Sequence, residues 1–192
     1  MPVPDFITHY YDAAAGPLRS LTDLPSDLGE HILEGIRSQE VLFASKRNTD
    51  YLQIRRDLEA RVRRLFVQKG GRPLRRQPHY FVLGACPWLH SWYSQGREIH
   101  VPLREIDPAV ISFTYGDTFP AMRLRDGKPH RGQVYTLAQL ANLVQTFGLP
   151  QVGNSDGQFG PDRYIEAQLW DDEPVRQFLP LAKSRTRSPI HI

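Results

Sequence analysis

One carboxylate stands in the middle of a polar and aromatic row near the end of the chain. In Arg163–Trp170, RYIEAQLW, strand alternation puts Ile165, Ala167 and Leu169 on one face and Tyr164, Glu166, Gln168 and Trp170 on the other. The first set is a core face. A carboxylate flanked by aromatics at a cleft can stabilise a cationic intermediate or act as a base; the same row also suits a solvent-facing strand surface. Arginine is the second chemical signal. Residues 46–76 hold eleven Lys/Arg against three Asp/Glu, a net +8, so with +3 overall the remaining 161 residues carry −5. A focused positive patch suits a phosphate-bearing ligand or partner. Five of the eleven, Arg55, Arg56, Arg61, Arg63 and Arg64, belong to a predicted helix whose apolar stripe is Tyr51, Ile54, Leu58, Val62, Leu65 and Phe66. At 100° per residue Arg56, Arg63 and Arg64 turn away from that stripe, Arg55 falls on it and Arg61 at its margin. An arginine on a buried face needs a partner, either an internal ion pair or something in a site.

Other signals are weaker or negative. His9, in Thr8-His9-Tyr10-Tyr11, sits on a possible first strand ahead of the small-residue run AAAG. The stretch 78–93 is dense in aromatics, among them Tyr80, Phe81, Trp88 and Trp92, and with Arg72, Arg75 and Arg76 it could stack nucleic-acid bases or simply form core. The chain has no P-loop, no dinucleotide-binding glycine motif, no H-E-x-x-H and no G-x-S-x-G. Its seven histidines lack ligand-pair spacing, so no metal centre is expected. A single cysteine, Cys86, excludes a disulfide framework, reads as a buried inert thiol and points to a reducing cytoplasm. No window approaches 18 consecutive apolar residues, and no basic start leads into an apolar block, so neither a membrane span nor a secretory signal is expected.

The elements that must position these residues follow from periodicity. Helices are predicted from Ser26 to about Ser38 and from about Thr49 to Gln68, the second stopped by Gly70 and Gly71. Strands are predicted over 78–84, 97–103, 110–117 and 163–170. Thr136 and Gln139 form a capping box that opens a helix through Phe147, closed by Gly148 and Pro150. The Gly-, Asn- and Asp-rich stretch 151–162 reads as a loop. Helices first and antiparallel-looking strands later give an α+β class, with a helical N-terminal half packed on a mainly antiparallel sheet. One domain is expected over 1–180, followed by a flexible tail at 181–192.

Together these pieces resemble the DarT-like group of ADP-ribosyltransferases, which act on DNA bases using NAD. That group begins with a histidine-bearing strand, here Thr8-His9-Tyr10-Tyr11, and continues with a Leu-rich helix, here Leu28–Ile36. An arginine-bearing helical segment resembling Leu58–Arg64 precedes a proline-aromatic strand, here Pro78-His79-Tyr80-Phe81. An F-T-x-G stretch looks like Phe113-Thr114-Tyr115-Gly116, and the strand of the catalytic glutamate looks like Glu166–Trp170 before Asp171-Asp172-Glu173-Pro174. Tyr164 stands two residues before the glutamate, where many transferases carry Gln or Glu. The resemblance implies an ADP-ribosyltransferase fold and NAD as substrate, with Glu166 beside the cation formed on cleaving the ribosyl–nicotinamide bond. It implies an arginine, Arg55, Arg61 or Arg47, on the diphosphate, His9 on the nicotinamide ribose and Tyr80 or Tyr10 stacked on nicotinamide. It also implies a toxin or defence role, an antitoxin or immunity protein as partner, and nucleic-acid phosphates on Arg63, Arg64, Arg72, Arg75 and Arg76.

Two other functions fit the residues. One is a non-enzymatic nucleic-acid-binding domain built on 46–76 and the aromatics of 79–93, whose binding would weaken steeply with salt. The other is a metal-dependent nuclease using Glu166 with Asp117, Asp171 or Asp172; no lysine lies beside Glu166, and alternation separates Asp171 from it, which ranks this last.

Overall fold

The short strand Ile111–Tyr115 and its neighbour Ile165–Leu169 are buried at every position, because both faces of the sheet they share are covered. The computed structural model describes residues 2–37 and 48–179; Arg47 and the tail expected at 181–192 lie outside them. The strands are β1 (Phe6–Asp12), β2 (His79–Leu83), β3 (Gly96–Pro102), β4 (Ile111–Tyr115), β5 (Tyr135–Thr136) and β6 (Ile165–Leu169). They form one antiparallel six-stranded sheet in the order β3-β1-β2-β6-β4-β5, within a single α+β domain. The helices are α1 (Ser26–Arg37), α2 (Tyr51–Gln68), α3 (Pro87–His90), α4 (Thr118–Arg123), α5 (Leu140–Phe147) and α6 (Pro150–Gly153). Among the described residues no helix is long and apolar enough to cross a membrane.

The two sheet faces carry different chemistry. On one, Ile7, Phe81, Leu83, Ile111, Phe113, Ile165, Ala167 and Leu169 meet Leu140, Leu143 and Val144 of α5 in the main apolar core. On the other, the polar residues Thr8, Ser112, Thr114, Glu166 and Gln168 are buried beneath α2 and α4. There Leu58, Val62 and Phe66 of α2 pack with Met122 of α4 and with Trp170, which is wholly buried. A solvent-facing row at Tyr164–Trp170 is therefore excluded. The alternation is right, but the second face is a second interior.

Period-2 and period-3.6 patterns place most elements to within two residues, and the capping box at Thr136 and Gln139 is present. Two strands and three short helices are less visible from sequence. β1 lies inside the sheet, so the N-terminal half is not wholly helical. β5 has only two residues, and α3, α4 and α6 have four to six, too short for a periodic signal. Part of the predicted 151–162 loop is helical, because Pro150 opens α6 as well as following α5.

Candidate active site

The sheet has a gap. β1 and β2 pair only at Ile7 with Leu83 and at Thr8 with Val82. Beyond Thr8 the strands part, and His9 bridges the gap with its ring. Its Nδ1 donates to the Tyr80 carbonyl (2.8 Å) and its Nε2 accepts from the Leu18 amide (3.0 Å). A carbonyl can only accept, so these bonds fix one neutral tautomer. Burial lowers the His9 pKa further, against the support of the Tyr80 carbonyl. Leu18 is held with φ +56°, the only described non-glycine residue in the left-handed region.

The gap opens into a cleft of about 260 Å³, walled by β1, β2, the 18–22 segment, the start of α2, and the ends of β4 and β6. Of the expected site residues it gathers His9, Tyr10, Arg55, Tyr80 and Glu166. Arg61 is not among them. Six residues along a helix is a rotation of about 120° from Arg55, and Arg61 is exposed, donating to the Met122 carbonyl at 2.8 Å as a tether to α4.

Glu166 is 3% exposed. Its Oε1 accepts from the Thr118 amide (3.3 Å), the Thr118 hydroxyl and Gln168 Nε2 (3.1 Å). Gln168 is in turn oriented by Ser112, whose hydroxyl donates to Gln168 Oε1 (2.9 Å) and accepts from Trp170 Nε1 (2.9 Å). The rest of the predicted row thus holds the glutamate from below. The turn after β4 brings up Thr118. Gly116 has φ +90°, and a Cβ there would lie 2.5 Å from Asp162 Oδ1, so only glycine fits. Asp117 then caps α4 through the Phe119 amide (2.7 Å) and accepts from the Tyr164 hydroxyl (3.0 Å). Burial, and after it the charge of Asp117, push the Glu166 pKa up to about 7; Arg55, Thr118 and Gln168 pull against them.

Arg55 is 8% exposed. Its guanidinium lies 3.9 Å from the centroid of the Tyr80 ring, 3.5 Å from Glu59 and 3.8 Å from Asp117. Burial works against its charge, and Tyr80, Glu166, Tyr51 and Asp117 more than offset that, holding it charged. The Tyr80 hydroxyl donates to Glu59 Oε1 (2.9 Å), and burial raises its pKa well above the usual value. The Tyr10 hydroxyl accepts from the Cys86 amide (2.9 Å), and burial pushes the Cys86 thiol up, as an inert thiol requires.

No family model, no curated protein and no solved structure matches this chain.

The remaining expected residues fall elsewhere. Arg75 is closed off by Asp23 (2.9 Å) and Asp172, and exposed Arg72 stands 3.7 Å from Asp107. Arg63, Arg64 and Arg76 line a second cavity behind α2. The aromatics of 79–93 do not form one platform: Phe81 is in the main core, Tyr80 in the cleft, and Trp88 meets Trp92 edge-on at 4.8 Å. Asp172 turns to Arg75 and His79, and among the described residues no three or more His, Cys, Asp or Glu side chains group to hold a metal. Several cleft residues escape the sequence. Thr118 was not singled out, although Asp before Thr-Phe-Pro is an N-cap signal, and Asp117 was named only as a carboxylate for a metal-dependent nuclease and not as the cap of α4. Arg19, exposed on the cleft and without an ion pair among the described residues, carries no sequence signal.

Proposed function

We propose that this protein is an NAD-dependent ADP-ribosyltransferase with Glu166 as its acid–base residue. One observation carries the reading: a buried glutamate with its pKa near 7 shares a cleft with His9, Tyr10, Arg55 and Tyr80, residues that the chain scatters over more than 150 positions. The chemistry suits the site. The bond from ribose C1′ to the nicotinamide nitrogen breaks, and its electron pair neutralises the pyridinium. The cation left at C1′ is stabilised by the Glu166 and Asp117 carboxylates. The acceptor's nucleophile then bonds to C1′, and its proton passes to Glu166. A cationic pyridinium in the cleft also favours ionised Glu166 before the bond breaks. The cleft lies near the lower end of the roughly 300–1,000 Å³ typical of small-molecule sites; it takes the nicotinamide and its ribose, with the adenosine half outside.

Roles shift within this reading. His9 has both ring nitrogens engaged, so it pins the strands and the 13–18 segment rather than gripping the ribose. Arg55 orders Tyr80 and balances the carboxylates, and Arg19 meets the diphosphate. A nucleic-acid acceptor, a toxin or defence role and an antitoxin or immunity partner follow from the resemblance alone. The test is nicotinamide release from NAD, with and without DNA or RNA. Glu166→Gln should lower it about 10²–10⁴-fold with the fold intact. Equal release by that variant would remove Glu166 from the chemistry.

A further inference from the structure

A second cavity, behind α2, has a volume of about 500 Å³. Its walls include Arg56, Arg63, Arg64 and Arg76, with Glu59 as the single carboxylate. None of the four arginines has an ion pair among the described residues. Arg56 donates to Ser26 Oγ and the Leu24 carbonyl, and Arg63 to the carbonyls of Pro73 and Arg75. These bonds aim two guanidinium groups and leave their charge unbalanced. Arg64 and Arg76 are exposed and bond to nothing among the described residues.

Two further features point to a ligand larger than a bare anion. Glu59 is 2% exposed, and its Oε2 is buried with no hydrogen-bond partner, while Oε1 holds Thr22 and Tyr80 (2.9 Å each). A buried carboxylate oxygen without a donor is costly. Leu74, on the same walls, is 71% exposed, an apolar surface with nothing on it. Unbalanced guanidinium groups call for phosphate, the orphan oxygen for an N–H or O–H donor, and the leucine for a flat apolar group.

We infer that this second cavity binds a nucleotide unit, its phosphate on the arginines, its base against Leu74 and a sugar or base donor at Glu59. Glu59 borders both spaces, since its Oε1 holds Thr22 and Tyr80 of the cleft wall, but the arginines and Leu74 lie outside the cleft and binding there does not depend on NAD turnover. The phosphate ester comes either from a free nucleotide or from a nucleic-acid strand.

Calorimetric titration of the full chain with AMP, a short single-stranded oligonucleotide and inorganic phosphate tests it. Binding of AMP or the oligonucleotide should exceed that of phosphate by about tenfold or more. AMP alone sufficing identifies free nucleotide; binding seen only with the oligonucleotide identifies a strand. Arg64→Glu with Arg76→Glu reverses two unpartnered surface charges and should weaken that binding at least about tenfold at unchanged Tm. Glu166→Gln should leave it within about twofold, which separates this site from the cleft. Phosphate binding as tightly as AMP, unaltered affinity in the double variant, or no binding at low salt would each overturn the inference.

Discussion

Glu166 is a carboxyl placed where ionisation is expensive. Acting as a base it must be ionised, so kcat/KM for NAD should climb about tenfold per pH unit below 7 and level off above it, following the raised pKa of the free protein. A profile flat from pH 5 to 8 would assign the proton transfer elsewhere. Arg19 offers a different kind of test. It touches the cleft at its exposed edge, so Arg19→Ala should raise KM for NAD by about tenfold with kcat nearly unchanged. A fall in kcat at constant KM would place Arg19 at the reacting bond instead. Some of this was legible from residue type. An arginine on the apolar stripe of α2 demanded a partner, and Arg55 has an aromatic ring and two carboxylates. Rotation set Arg61 about 120° round α2 from Arg55 and at the margin of the stripe, but that it meets the Met122 carbonyl rather than the cleft depends on the position of α4.

At the scale of elements, the site is the meeting of two strand ends and one short helix. Gly116 turns β4 into α4 against the Asp162 carboxylate, and Asp162 is itself gripped by Arg131 (2.6 and 2.9 Å). Gly116→Ala adds a Cβ where Asp162 Oδ1 sits and puts alanine at an unfavourable φ, at a cost of ~1–3 kcal/mol of backbone strain before the clash is counted. Thermal unfolding should show a lower Tm, and nicotinamide release should fall as Thr118 leaves Glu166. A variant of wild-type Tm and activity would show that this turn does not position the site. Long periodic elements were readable because a helix of 18 residues or an alternating strand repeats its pattern several times. The six-residue α4 repeats nothing, and it is the element that supplies Thr118. Strand alternation correctly paired Glu166 with Gln168, but whether that face met water or helices depended on α2 crossing it, and no local pattern encodes that crossing.

For the whole molecule, the Glu166 carboxyl opposes folding. The Glu166 pKa rises from about 4.5 to about 7 on folding, so the native state binds more protons than the unfolded chain between those values. Stability therefore falls as pH rises through that window, by roughly 3 kcal/mol from this group. Glu166→Gln should unfold at a higher denaturant midpoint than wild type at pH 8, with the gap narrowing towards pH 5. An equal midpoint at pH 8 would mean that the carboxylate is better solvated than its burial implies. The strand order carries a further consequence for how the chain is made. β1 sits between β2 and β3, and its longest-range pairing joins Phe6 to Pro102, 96 positions later. At a synthesis rate of about 5–20 residues per second, β1 exists for roughly 5–20 s before β3 is made. Until β2 follows it has two open edges, and until β3 follows it still has one, together with the apolar residue Ile7, which is wholly buried once folded. A newborn chain thus carries β1 unpaired while its neighbours are still to be made, and its yield in the cell should depend on what shields those few residues while the ribosome works.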